Sequence, residues 1–187
     1  MRPVTILFLL ARAFAFCQPA EGQVDLEKTD REIVRLSPAR FPELPPAIRK
    51  DLARRGCTIP QQTGEKKTHN VIKGAFIQRG ELDWAVLCSV KRISAILVFP
   101  NASPSGVISL ARRADIDSLQ SAGGDRMVYS RVISPVGRDV IMVDYRAYGG
   151  PKPPPIDHQG IDDGFAGKGS AVLYFYRGKW LQLTGAD

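Results

Sequence analysis

Between Leu82 and Pro100 the chain reads LDWAVLCSV, then KR, then ISAILVFP, two apolar runs separated by two cations. Successive side chains of a β-strand point to opposite faces, so a strand with one wet face alternates apolar and polar residues. Neither run does so. Trp84, Val86 and Cys88 fall on one face of the first and Ala85 and Leu87 on the other, and AILVF in the second is apolar on both. Strands of this kind belong in the centre of a sheet that is covered on both sides. The two-residue connection makes them antiparallel neighbours.

The surrounding segments extend the sheet. NVIKGAFIQ (70–78) joins the first central strand through RGE, giving an antiparallel meander. After a turn at NASPSG come VISLARR, the polar stretch ADIDSLQSAGGD, and then RMVYSRVIS and RDVIMVDYRAY, which read as a hairpin about PVG. SAVLYFYRGKWLQL alternates aromatic and β-branched residues on either side of an Arg177-Gly178 turn. The clearest helix is LPPAIRKDLARRGC. Its prolines suit a first turn, Ile48 and Leu52 form an i, i+4 apolar pair, and Arg54 and Arg55 favour the negative end of the helix dipole. Gly56 is placed for a left-handed cap. The expected class is α+β: a mainly antiparallel sheet of about seven or eight strands with one short helix near residues 46–55. The alternative is a small β-sandwich or barrel. No internal repeat is visible.

The first residues read as a leader rather than as part of the fold. Arg2 precedes an apolar run from Val4 to Phe16, broken only by Thr5 and Arg12, and Ala20 and Gly22 follow in small-x-small spacing. The run is short for a bilayer span, which takes ~20 residues. The expectation is a signal peptide over 1–22, no transmembrane span after processing, and an exported protein, periplasmic or extracellular. A lipid anchor on Cys17 is disfavoured because bulky Phe16 precedes it. Residues 23–44 are polar, with prolines at 38 and 42, and read as a loosely held N-terminal arm before a single domain over 45–187. Cys57 and Cys88 then remain, and in an oxidising compartment they pair. The net charge is +7, or +6 once Arg2, Arg12 and Glu21 are removed. The basic residues stand in scattered pairs, Arg49-Lys50, Arg54-Arg55, Lys66-Lys67, Lys91-Arg92 and Arg112-Arg113, without interleaved aromatics. The pattern argues against a nucleic-acid platform and leaves an anionic envelope polymer or another protein as the partner of a monomer.

RRGCTIPQ, followed by NVIKGAF, DWAVLCS and ILVF and closed by HQGIDDGF and GKWLQLTGAD, resembles a family of exported bacterial proteins to which no activity is attached. The resemblance covers most of residues 44–187 and implies location and a single-domain architecture. Locally, VIKGAFIQRGELDWAVLCS is similar to the start of an FG-GAP propeller blade. Gln78 and Arg79 stand where such blades carry calcium-binding aspartates, so only the hairpin transfers.

The densest chemistry lies in PPPIDHQGIDDGFAGKG (153–169). Asp157, His158, Asp162 and Asp163 place three carboxylates and an imidazole within seven residues among glycines, a set that could hold a divalent cation. The ligand alternation of an EF-hand and the histidine spacing of a zinc helix are both missing. The plainer reading is a proline-stiffened loop in which His158 makes a local hydrogen bond and no cofactor is held. A hydrolase or metal-dependent enzyme centred on His158 and these aspartates is the rival reading, although no Gly-x-Ser-x-Gly elbow supplies a nucleophile. Tyr145, Tyr148, Tyr174, Tyr176 and Trp180 form a second candidate, a binding face for carbohydrate or peptide; at strand spacing, core packing competes with that role. The function expected is thus a non-enzymatic binding or envelope-associated module.

Overall fold

A computed structural model describes residues 25–186. The leader expected over 1–22, with Cys17, lies outside the described residues. In chain order the elements are α1 (Leu26–Glu32), β1 (Arg35–Leu36), α2 (Pro46–Arg54), β2 (Ile59–Pro60), β3 (Val71–Gly74), β4 (Asp83–Val90), β5 (Ile93–Phe99) and β6 (Ile108–Ala114). There follow β7 (Leu119–Ser121), β8 (Met127–Tyr129), β9 (Arg131–Val136), α3 (Arg138–Tyr148), β10 (Gly160–Phe165), β11 (Ser170–Tyr176) and β12 (Lys179–Thr184). Sheet I has the order β3-β4-β5-β6 and sheet II the order β9-β10-β11-β12; β1-β2 and β7-β8 are two-stranded, and among the described residues no sheet closes into a barrel. Every pairing is antiparallel. The fold is α+β and mainly β, as expected. The strands beyond those expected are β1, β2 and β7, pieces of two or three residues too short to carry a period, and β10, six residues within the stretch read as a loop.

The two-faced apolar strands explain the layering. Trp84, Val86, Cys88, Leu97 and Phe99 face outward from sheet I and pack against Ile48 and Leu52 of α2. Ala85, Leu87, Ile96 and Val98 face inward and meet Ile133, Ile161 and Leu173 of sheet II. On the far side of sheet II, Val172, Tyr174 and Leu183 pack with Ile141 of α3 and with Ile156. The result is two sheets face to face with a helix on each outer surface. The Cys57–Cys88 disulfide ties the end of α2 to β4, and Gly56, at φ +72°, makes the turn into it.

Residues 138–148 correct the sequence reading: they form α3, not the second strand of a hairpin at PVG. The run VIMV satisfies both a period of 2 and one of 3.6, so its own pattern does not decide. The decision comes from packing. As a helix the segment buries Ile141 and Asp144 on one face and leaves Val140 and Val143 in solvent. Gly137 and Gly149, the latter at φ +75°, punctuate its ends. β9 pairs instead with β10.

The expected loose arm is also seated. Asp25 caps α1 by accepting from the Lys28 N–H at 2.9 Å, β1 pairs with β2, and Phe41 and Leu44 are buried beside α2. Its polar residues serve as anchors. Arg35 reaches Asp30 at 2.7 Å and Asp115 at 2.8 Å, and Arg92 in the β4–β5 turn reaches Asp30 at 3.0 Å.

Sheet I carries one irregularity. The β5–β6 register shifts between Ser94 and Ile96, leaving Ala111 and Arg112 together opposite Ala95. Ala111 has φ +48°, a left-handed conformation that a side chain disfavours.

Candidate functional site

The stretch 153–169 is only partly a loop. Gly160–Phe165 is β10, flanked by β9 and β11, so the adjacent Asp162 and Asp163 point to opposite faces of sheet II. His158 is packed away: its ring stacks on Tyr174 with centroids 4.4 Å apart. Both of its nitrogens lie 3.0 Å from main-chain carbonyl oxygens, those of Gln159 and Phe175. With 7% of its side chain exposed, the ring is turned to the main chain and away from any open surface. Among the described residues, no three of His, Cys, Asp and Glu gather as a cation would require. Strand alternation thus separates Asp162 from Asp163, while Asp157 and His158 stay together beside Tyr174, their side chains 3.8 Å apart.

Asp162 faces the α3 side, half-buried. Burial raises its pKa, and the like charges of Asp144 and Asp163 add to this, against a lowering contribution from Ser170. A carboxyl whose folded pKa is raised binds its proton more tightly when folded, so its ionisation weakens the fold as pH rises from the ordinary carboxylate value through the raised one. Asp162→Asn is accordingly expected to raise the urea midpoint at pH 7. The gain shrinks as pH falls through the folded pKa and is gone below the ordinary carboxylate pKa, about 3.9. An equal midpoint for both proteins at pH 7 would contradict it.

Asp163 faces inward and organises a charged network. Arg131, the first residue of β9, is wholly buried. Its Nε donates to Asp163 Oδ1 at 2.8 Å and its Nη2 to Asp163 Oδ2 at 3.0 Å. Its Nη1 donates to Ser94 Oγ at 2.9 Å, and Nη2 also to the Ala111 carbonyl at 2.8 Å. That last bond is the use of the bulge in β6, which turns a carbonyl inward to the guanidinium. Arg113 donates to Asp163 Oδ2 from the other side and lies over the Phe165 ring, 5.4 Å from its centroid. Burial lowers the Arg113 pKa, and repulsion from Arg131 lowers it further, while Asp163 opposes both. Tyr129 sits in the same interior, its phenol kept neutral mainly by burial and by the charge of Asp115.

A second basic feature lies on the outer face of sheet I. α2 covers only part of that face. The remainder is a shallow groove of about 420 Å³, floored by Val90, Ile93, Ala95 and Leu97 beside Cys88 and rimmed by Arg55, Lys91 and Arg112. Val90 and Ile93, which flank the β4–β5 turn, are 36% and 37% exposed. Arg55 is tied to Asp51 at 2.6 Å; among the described residues Lys91 and Arg112 form no ion pair. Burial acts to raise the Asp51 pKa, but hydrogen bonds from Arg55 and Arg54 and their charges outweigh it and hold that carboxyl low.

The aromatic candidates do not form one face. Tyr174 is buried and Tyr176 packs beside it on the α3 side of sheet II. Trp180 packs toward the interface between the sheets, edge-on to Phe175 at 5.6 Å. Tyr145 and Tyr148 lie on α3, with only Tyr148 largely exposed.

Among the described residues no helix is long and apolar enough to cross a membrane. Compared with known proteins, the chain matches no family model, no curated protein and no solved structure at a significant level.

Proposed function

We propose that this chain is an exported, non-enzymatic binding module, periplasmic or extracellular, that associates with the cell envelope by docking the outer corner of sheet I on an anionic lipid surface. One observation carries the reading: exposed Val90 and Ile93 flank the hairpin tip that carries Lys91, with Arg112 and Arg55 beside them. Exposed aliphatic side chains next to cations suit the boundary between acyl chains and anionic headgroups. The floor is aliphatic, without the aromatic rings on which sugars stack, which favours lipid over an acidic glycan. The apolar signal-like leader and the Cys57–Cys88 disulfide support placement in an oxidising, exported compartment.

The test is co-sedimentation of the purified protein with phosphatidylcholine vesicles, with and without phosphatidylglycerol. Binding is expected only to the anionic vesicles and is expected to weaken with salt. A surface cation contributes about 1 kcal/mol, so Lys91→Gln with Arg112→Gln should cut partitioning roughly thirty-fold. Val90→Ser with Ile93→Ser should reduce it independently. Equal binding to both vesicle types, no binding to either, or binding unaffected by these substitutions overturns the lipid assignment. Retention of the protein by an acidic polymer alone would do the same.

A further inference from the structure

Where Arg112 points out of sheet I into the lipid-facing groove, its neighbour Arg113 points the other way, into a separate cleft of about 330 Å³. Arg113, Asp163, Phe165, Gly169, Ser170 and Gln182 line it. We infer that this cleft is a binding site for the carboxylate of a small organic acid, with Arg113 as its anchor.

The two arginines at Asp163 are not equivalent. Arg131 gives four hydrogen bonds to protein acceptors and is fully enclosed. Arg113 has the same five N–H donors but, among the described residues, gives only one hydrogen bond, to Asp163 Oδ2. Its side chain is 29% exposed, and its remaining donors are accessible to water at the wall of the cleft. A guanidinium held in place with donors free of protein acceptors can exchange its water for a carboxylate.

The charges agree. Two guanidiniums share Asp163, both of whose oxygens are already engaged, so the group carries excess positive charge, tempered by Asp162, which reaches the lining residue Ser170. Tyr129 is neutral and cannot balance it, and Asp117 acts on Arg113 only from an exposed position at longer range. A monoanion suits this modest excess better than a phosphate dianion. The geometry is fixed before any ligand arrives, because Phe165 holds one face of the guanidinium plane and Asp163 one of its edges. Phe165 and Gly169 offer apolar contact to the body of the acid and Gln182 a polar group at the mouth.

The experiment is a calorimetric titration of the full-length protein with benzoate, with benzamide as the neutral isostere and inorganic phosphate as the competing oxyanion. Saturable benzoate binding is expected, with benzamide and phosphate each weaker by at least about tenfold, as the loss of a matched charge-assisted contact implies. Arg113→Gln should weaken benzoate by a similar factor; Asp163 keeps Arg131, so the fold survives. Gln182→Glu, which puts a negative charge at the mouth without touching the network, should do likewise. Arg112→Gln on the opposite face should leave benzoate binding unchanged, which separates this site from the lipid reading. Absence of saturable benzoate binding, equal affinity for benzamide, preference for phosphate, or indifference to both Arg113→Gln and Gln182→Glu overturns the assignment.

Discussion

Replacing Asp163 with alanine is expected to destabilise the protein by about 3–5 kcal/mol, the cost of leaving a buried charge without its partner. Arg131 is wholly buried, and the substitution removes the only carboxylate it contacts among the described residues. Against a typical stability of ~5–15 kcal/mol this is a large fraction. At about 3 °C per kcal/mol for a domain of this size, the melting temperature should fall by roughly 10–15 °C. Urea unfolding monitored by tryptophan fluorescence would measure it. Removing both charges, in Arg131→Met with Asp163→Leu, should cost less than Asp163→Ala alone, because no enclosed guanidinium is then stranded and Arg113 is free to turn toward solvent. A single substitution costing under about 1 kcal/mol would show that the guanidinium finds another acceptor.

The second large effect concerns the disulfide. Cys57 and Cys88 are 31 residues apart, and a loop of that length restricts the unfolded chain by about 3–4 kcal/mol in the loop-entropy model. The protein with both cysteines replaced by alanine is expected to keep its far-ultraviolet circular dichroism, since Ile48 and Leu52 still hold α2 against sheet I, but to lose that much unfolding free energy and so unfold at a lower urea midpoint. Denatured but unreduced wild-type protein should leave Cys57 and Cys88 unalkylated. Labelling at both positions would remove the bond from the account, and an unchanged midpoint in the double variant would remove its energetic role.

The sheet was legible where pattern and packing agree. LDWAVLCSV and ISAILVFP announced two covered faces, and α2 was marked at both ends by Pro46 and Gly56. α3 was not legible, since an unbroken apolar run followed by alternating polar and apolar residues fits either period; the bare outer face of sheet II decides it, and that face does not exist until β9 to β12 are paired. The arm was misread because composition averages over Phe41 and Leu44, two apolar anchors in a polar segment. Of the site, the basic pairs were visible as scattered charges. Topology brings one member each of Arg54-Arg55, Lys91-Arg92 and Arg112-Arg113 to one corner, while strand alternation sends Arg113 to the other face. A signal for the inner network did exist. Arg131 and Asp163 occupy positions in phase with Ile133 and Ile161, so each places a charge on the inward face of its strand. Opposite charges at core positions of two strands can be stable only as a pair.

The bulge in β6 has a consequence for how copies of this protein meet. β6 is an outer strand of sheet I, and a regular outer strand offers its unpaired amides and carbonyls to any other chain as a template for aggregation. Here Ala111 is twisted to φ +48°, its carbonyl is consumed by Arg131, and Arg112 and Arg113 project to either side. An incoming strand would meet a broken hydrogen-bond ladder between two cations. The residue that satisfies the buried guanidinium thus also helps to keep the sheet from growing.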